Sequence, residues 1–418
     1  MSAYGSPSGS SSTRLSAAPL RVGLMGLLGA GNIGNDACLE AVLRHLRSAH
    51  PDAVLDAMGT GPQQLKDEYG LDAVGLYWHH EKEEQASRGA AVLLKLFGKV
   101  VDTYRIPAWV RQHDVVILPG TGILEATLPL RPWETPYSVF ILSLSARLFR
   151  TRVAFVDVGA NFIERRMTRW LLTTAARLAF YRSYRDTLSW DAMRARGLDT
   201  TDDHIFADLA YSLPPPAKDS VDPSLVGVGV MGYHGTNDDD RRQSDQIHAA
   251  YVEKMKQFVR WLLDRDRRVR LLVGDENDRK VVDEILRDVK SSRPDRQSWV
   301  GAEPVRTFVE LSEAISPARS VVATRFHNVL CALKLGKPTV SIGYSEKNAR
   351  LMADAGLGAF CQSVRSLDLD LLIEQFLELE HSSAELTSHI LERSISNARA
   401  LDAQFAELTS VVLSAQGV

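Results

Sequence analysis

Cysteine is scarce in this chain: 418 residues hold three, Cys38, Cys331 and Cys361. The number is odd and no two share a CxxC spacing. That speaks against a disulfide framework or a zinc site, and for a reducing compartment. Charge of one sign is lacking too. With 49 Lys and Arg against 52 Asp and Glu, the net charge is -3, so the balance gives no reason to expect a nucleic-acid partner. No run of about 18 apolar residues is free of charge, which excludes a membrane-spanning helix. The Gly/Ser-rich stretch 2–13 is followed by no apolar segment, so it does not read as a secretory signal. It reads as part of a disordered tail over 1–19, and deleting 2–13 is expected to leave stability unchanged.

What is present is ordinary globular material, 45% hydrophobic and 24% charged. A chain this long exceeds one core, so two domains are expected. Buried strands read at Arg21–Met25, Asp114–Pro119, Val153–Val158, Leu225–Met231, Arg270–Val273 and Val321–Ala323, with amphipathic helices between them. That alternation is the signature of parallel α/β sheet. Pro214, Pro215 and Pro216 form the clearest boundary. The expected division is a first domain over 20–213, a linker over 214–224 and a second domain over 225–418, whose C-terminal helices are long enough to reach back. A ligand cleft between the halves follows.

The most informative stretch runs from Val321 to Lys347. A strand ending at Ala323 delivers Arg325 and His327, a helix from Phe326 stops at Gly336, and the next strand, Thr339–Ile342, leads to Lys347. Active sites in open α/β sheets lie at the carboxyl ends of strands. Three cations at one rim need an anion to face, although Arg325 could instead pair with a carboxylate and His327 cap its helix. In the first half Gly29-Ala30-Gly31-Asn32-Ile33-Gly34 matches GxGxxG, with Asp56 at dinucleotide-fingerprint distance. Asn32, Asn35 and Asp36 are polar where the fingerprint wants packing, so a ligand-facing loop and a plain glycine turn are the stronger readings. Between Arg147 and Arg182, arginines interleave with Leu, Phe and Trp. Such a segment is either a solvated helix face or a contact for anionic lipid.

Four blocks together resemble the polysaccharide pyruvyl transferases, over Arg21 to about Leu357. They are Gly31–Ala37, Asp114–Gly122, Arg185–Ser189, and Thr324–His327 continued through Gly336-Lys337-Pro338 and Tyr344–Lys347. The last block is the most specific. The chain departs from the family pattern at Asn35-Asp36, at Thr121 between two glycines, and at Gly159-Ala160-Asn161-Phe162, all in the first half.

The resemblance implies two Rossmann-like halves facing a cleft, a GT-B-like arrangement. It implies transfer of the enolpyruvyl unit of phosphoenolpyruvate onto two sugar hydroxyls as a cyclic ketal, with phosphoenolpyruvate as co-substrate and no metal or other cofactor. Arg185, Arg325, His327 and Lys347 would bind the donor, Arg being suited to bidentate contact with carboxylate or phosphate. His327 is the acid/base candidate and Asp36 the base on the acceptor side. Gly31, Asn32, Asn35, Asp36, Gly120, Thr121 and Gly122 would line the acceptor. That acceptor is a saccharide, including lipid- or nucleotide-linked intermediates of the cell envelope, met in the cytoplasm at the inner face of the membrane. A nucleotide-sugar glycosyltransferase and a non-catalytic glycan- or phosphate-binding protein are the alternatives.

Overall fold

The computed structural model describes residues 18–79, 88–125, 132–217, 220–235 and 243–414. Most of the expected tail, residues 1–17, lies outside them. Seven strands form the first sheet: β1 Arg21–Met25, β2 Val54–Gly59, β3 Asp72–Gly75, β4 Val115–Pro119, β5 Arg152–Val158, β6 Tyr181–Tyr184 and β7 His204–Ile205. All pairs are parallel, in the order β3-β2-β1-β4-β5-β6-β7. Six more form the second: β8 Asp222–Gly229, β9 Arg268–Leu272, β10 Val300–Ala302, β11 Ala318–Ala323, β12 Thr339–Gly343 and β13 Cys361–Ser363. They too are parallel, in the order β10-β9-β8-β11-β12-β13. The expected α/β fold of two parallel-sheet halves is what the chain adopts.

The strand sequences account for this. β4 is Val-Val-Ile-Leu-Pro and is buried at every position; a strand covered by helices on both faces needs such a continuous apolar run. Each sheet reverses direction at its first strand, between β1 and β4 and between β8 and β11. Such switch points open a crevice beyond the strand ends. The loops there are the Gly29–Asn32 and Gly120–Glu125 segments in one half, and Thr324-Arg325 in the other.

The C-terminal helix Ser383–Glu407 crosses back, as expected. Ser394 Oγ donates to Lys334 O (2.9 Å) in the second domain. Further along, Gln404 Nε2 donates to Asp157 Oδ1 (2.7 Å) and Ser183 Oγ (2.8 Å) in the first. Arg152 then holds the following turn through Val412 O (2.9 Å). Burial pushes the Asp157 carboxyl well above the usual range. Among the described residues no helix is long and apolar enough to cross a membrane.

Candidate active site

The second domain contributes one wall through residues that follow β11 and β12. Arg325 caps the helix Phe326–Lys334 with an extended backbone, and the turn sends its side chain and that of His327 different ways. Arg325 Nε and Nη2 donate to Asp278 Oδ2 (2.9 Å) and Oδ1 (2.6 Å). Asp278 is fully buried and also accepts from the backbone N–H of Gly232 (2.9 Å), Gly274 (3.1 Å) and Asp275 (3.0 Å). Burial works against the guanidinium, but this carboxylate outweighs it and the Arg325 pKa is raised. His327 turns toward the first domain, with Nε2 3.7 Å from Asp208 Oδ2. Its imidazole packs flat against Gly34, where a Cβ would overlap Nδ1. Glycine stands at position 34 because His327 occupies that space. Lys347, in the first turn of the helix Glu346–Asp354, reaches across to Glu125 Oε2 at 3.4 Å.

The first domain answers with Arg185, placed by the end of β6. It is buried between carboxylates. Nη2 bonds Glu125 Oε1, Nη1 lies 3.7 Å from Asp208 Oδ2, and Nε lies 3.6 Å from Asp186 Oδ2. Burial would lower its pKa, yet Glu125 and Asp208 drive it up. Asp208 shows the converse. Burial alone would raise it, but His327 and then Arg185 hold its carboxyl below the usual range. Both Arg185 Cζ (5.3 Å) and Lys347 Nζ (5.6 Å) approach the Phe326 ring centroid. Of the expected set, Arg185, His327 and Lys347 meet around Phe326, whereas Arg325 turns away to pair with Asp278, the carboxylate pairing that was its alternative reading. Three buried atoms at this point, Arg185 Nε, Asp208 Oδ2 and His327 Nε2, have no partner at hydrogen-bonding distance.

The expected acceptor loops lie beside these residues, Gly34 against His327 and Gly122 against Glu125. Asn32 caps the helix Ile33–Ala49 by accepting from Asn35 N (3.2 Å) and forms an isolated bridge with Asp275 across the domains. Gly31 stands in the left-handed region (φ 74) ahead of it. Asn35 Nδ2 donates to Leu27 O (3.0 Å), and Asp36 Oδ1 accepts from Gly29 N (2.8 Å). Burial pushes the Asp36 carboxyl up to about 6, against the opposing pull of the Gly29 hydrogen bond, and Oδ2 has no partner. Gly120 N donates to Val156 O (2.7 Å), Gly159 N to Thr121 O (3.0 Å) and Glu125 N to Gly122 O (3.0 Å). This turn aims Glu125 at the cations.

Three site carboxylates, Glu125, Asp208 and Asp278, were not found from the sequence. The usable signals were Glu125 behind a glycine turn and Asp208 at the end of an apolar run. Asp56 lies inside β2 and not at its carboxyl end, and its Oδ1 is engaged by Trp109 Nε1 (3.0 Å) and His113 Nε2 (2.8 Å), which speaks against the dinucleotide reading. One set of metal-type ligands exists among the described residues: Cys38, Asp208 and His327 place ligand atoms within 4.8 Å of one another. Burial, then Asp208, pushes the Cys38 thiol well up, away from the thiolate form in which cysteine binds a metal.

A sequence model of the polysaccharide pyruvyl transferase family matches residues 32–346. No curated protein matches the chain in sequence. Among solved structures, UDP-GlcNAc 2-epimerase from Neisseria meningitidis bound to UDP-GlcNAc is similar at 12% identity and TM-score 0.59, covering 94% of this chain and 100% of that one. A putative UDP-N-acetylglucosamine 2-epimerase from Listeria monocytogenes gives 13% and 0.57, over 94% and 96%. The Methanocaldococcus jannaschii enzyme in complex with UDP-GlcNAc and UDP gives 11% and 0.55, over 86% and 93%. At these identities the likeness establishes the GT-B fold alone.

Proposed function

The chain belongs to the polysaccharide pyruvyl transferase family, and from that premise we propose that it moves the enolpyruvyl unit of phosphoenolpyruvate onto two hydroxyls of a saccharide. One observation carries the reading. Arg185, His327 and Lys347 converge from both domains on Phe326, and the buried nitrogens Arg185 Nε and His327 Nε2 remain unsatisfied there. A small dianion with two acidic groups suits such a point. Its carboxylate and phosphate take over from Glu125 and Asp208 on Arg185 and Lys347, with Arg185 in bidentate contact.

In the proposed reaction, His327 as imidazolium gives its proton to the donor methylene carbon while the first hydroxyl oxygen bonds the neighbouring carbon. Asp208 stabilises the imidazolium, as a carboxylate beside a catalytic histidine does. Asp36 accepts the hydroxyl proton: Oδ1 anchors the Gly29 loop and Oδ2 is left for the proton. The carbon–oxygen bond to phosphate then breaks, and fixed cations stabilise the leaving charge. The second hydroxyl closes the ketal and returns a proton to His327. Two hydroxyl protons are accounted for, one in the new methyl group and one released with phosphate. The chemistry calls for no metal or organic cofactor. The saccharide acceptor, free or linked to a lipid or nucleotide, enters from the Gly31–Asp36 and Gly120–Gly122 side.

The UDP-bearing structural neighbours favour one other reading, a nucleotide-sugar reaction with the diphosphate on the same cations. Thermal shifts separate the two. Phosphoenolpyruvate at about 100 times its dissociation constant should stabilise by roughly 2.7 kcal/mol, and Arg185→Ala should remove the effect. His327→Gln should keep the shift and lose turnover of phosphoenolpyruvate to phosphate. Stabilisation by UDP and none by phosphoenolpyruvate overturns the proposal.

A further inference from the structure

Helices Thr135–Phe149 and Arg166–Leu178 pack side by side on the first sheet. Their inner faces, including Val139, Leu142, Leu172 and Ala175, fill the core. A helix at a domain surface should turn polar residues outward. These do not. Leu144 and Leu148 lie one turn apart and outward, Leu148 at 75% exposure, and Met167 and Trp170 repeat this on the neighbour at 60% and 58%. Phe140 and Trp170 join the two helices, ring centroids 5.2 Å apart. A contiguous apolar surface of this kind marks a contact site.

Arginines rim it. Arg147, Arg150, Arg165 and Arg166 are exposed, and none makes an ion pair among the described residues. Between residues 141 and 180 the acidic residues are Asp157, buried in the sheet, and Glu164. The surface is thus apolar in the middle and cationic at the edge. That pattern decides the occupant. In a twofold dimer the same patch meets itself, so the arginines of one copy would face those of the other. An anionic bilayer offers the complementary charge together with an apolar layer for Leu and Trp.

We propose that this face docks the protein on an anionic membrane surface without spanning it. The face begins at the cleft. Gly159 touches Glu125 and Arg185, where a Cβ would overlap both, and a few residues later Phe162 is 66% exposed and Arg165 and Arg166 begin the rim. A docked molecule would present the acceptor side of its cleft to saccharides carried at the bilayer interface. That consequence rests on the proposed function, whereas the docking itself does not.

The test sediments the full chain with vesicles of phosphatidylcholine alone and of phosphatidylcholine mixed with phosphatidylglycerol. The expected result is co-sedimentation with the mixed vesicles only, weakened by added salt. Leu148→Ser combined with Met167→Ser should abolish it. Arg147→Ser combined with Arg166→Ser should weaken it about 30-fold, roughly fivefold per arginine. All four side chains are exposed, so melting temperatures should match the parent. The phosphoenolpyruvate thermal shift should also match, which keeps this test separate from that of the donor site. Equal binding to both vesicles overturns the proposal, as does binding to neither, or a concentration-dependent dimer that these substitutions dissociate.

Discussion

Asp36→Asn should make the protein more stable and less active. Asp36 is 3% exposed, and burial raises its carboxyl from 3.8 to about 6. A carboxyl raised on folding stabilises the folded state while it is protonated. The contribution is full below the unfolded value of 3.8 and is lost as pH rises through about 6. The difference is about two units, so at about 1.36 kcal/mol per unit roughly 3 kcal/mol disappears between about pH 4 and pH 7. Asparagine is neutral throughout and keeps a carbonyl oxygen for the 2.8 Å bond from Gly29 N. Urea unfolding should therefore find variant and parent alike near pH 4, and the variant ahead by about 3 kcal/mol above pH 7. The buried Asp157 titrates equally in both proteins and cancels. Turnover should fall by about 10²–10⁴, since an amide takes no proton. Equal pH slopes for variant and parent would refute the burial argument. The expected stability with undiminished turnover would show that Asp36 anchors the loop and another group takes the proton.

Gly34→Ala places a methyl where the imidazole of His327 lies. The ring must move, and turnover should fall tenfold or more while the thermal shift with phosphoenolpyruvate persists; an unchanged rate would show that the contact carries no catalytic weight. Arg325→Ala strips the bidentate partner from a fully buried Asp278. It should cost about 3–5 kcal/mol of unfolding free energy, and a melting temperature equal to the parent's would contradict the pairing.

Much of the fold was legible because parallel strands buried on both faces announce themselves as unbroken apolar runs, as in Val115–Pro119. The site cations were legible because each follows a strand end: Arg185 after β6, Arg325 and His327 after β11, Lys347 after β12. Their partners were not. Arg325 meets Asp278 from 47 residues away and Lys347 meets Glu125 from 222, and no local pattern encodes such a pairing. Asp208 was hidden differently. The run Ile205–Leu209 reads as strand, but strand pairing ends at Ile205. Asp208 Oδ1 then accepts from Ala210 N (3.1 Å), closing a tight turn at Leu209–Ser212. The helix Arg88–Val110 escaped notice because Pro107 lies inside it, where proline removes a helical donor and reads as a stop. The edge strands β10 and β13 are three residues each, too short for periodicity to show.

The cations of the cleft invited the question of which anion they face, and the first answer is the protein's own carboxylates. Glu125 joins Arg185 of the first domain to Lys347 of the second, Asp208 stands between Arg185 and His327, and Asp278 holds Arg325. This arrangement lowers the cost of keeping guanidinium groups dehydrated, since a buried charge without a partner is far more costly than a paired one. It also sets a condition on any ligand. A single weak anion would gain little by displacing Glu125, because the bond broken resembles the bond formed. A compact molecule with two anionic groups gains more, since it can replace Glu125 on Arg185 and Lys347 and also reach the unsatisfied Arg185 Nε and His327 Nε2. Discrimination then arises from a difference between two bound states, with Glu125 as the internal competitor. That competitor also bridges the domains, so a donor that displaces it must itself take over the link between Arg185 and Lys347.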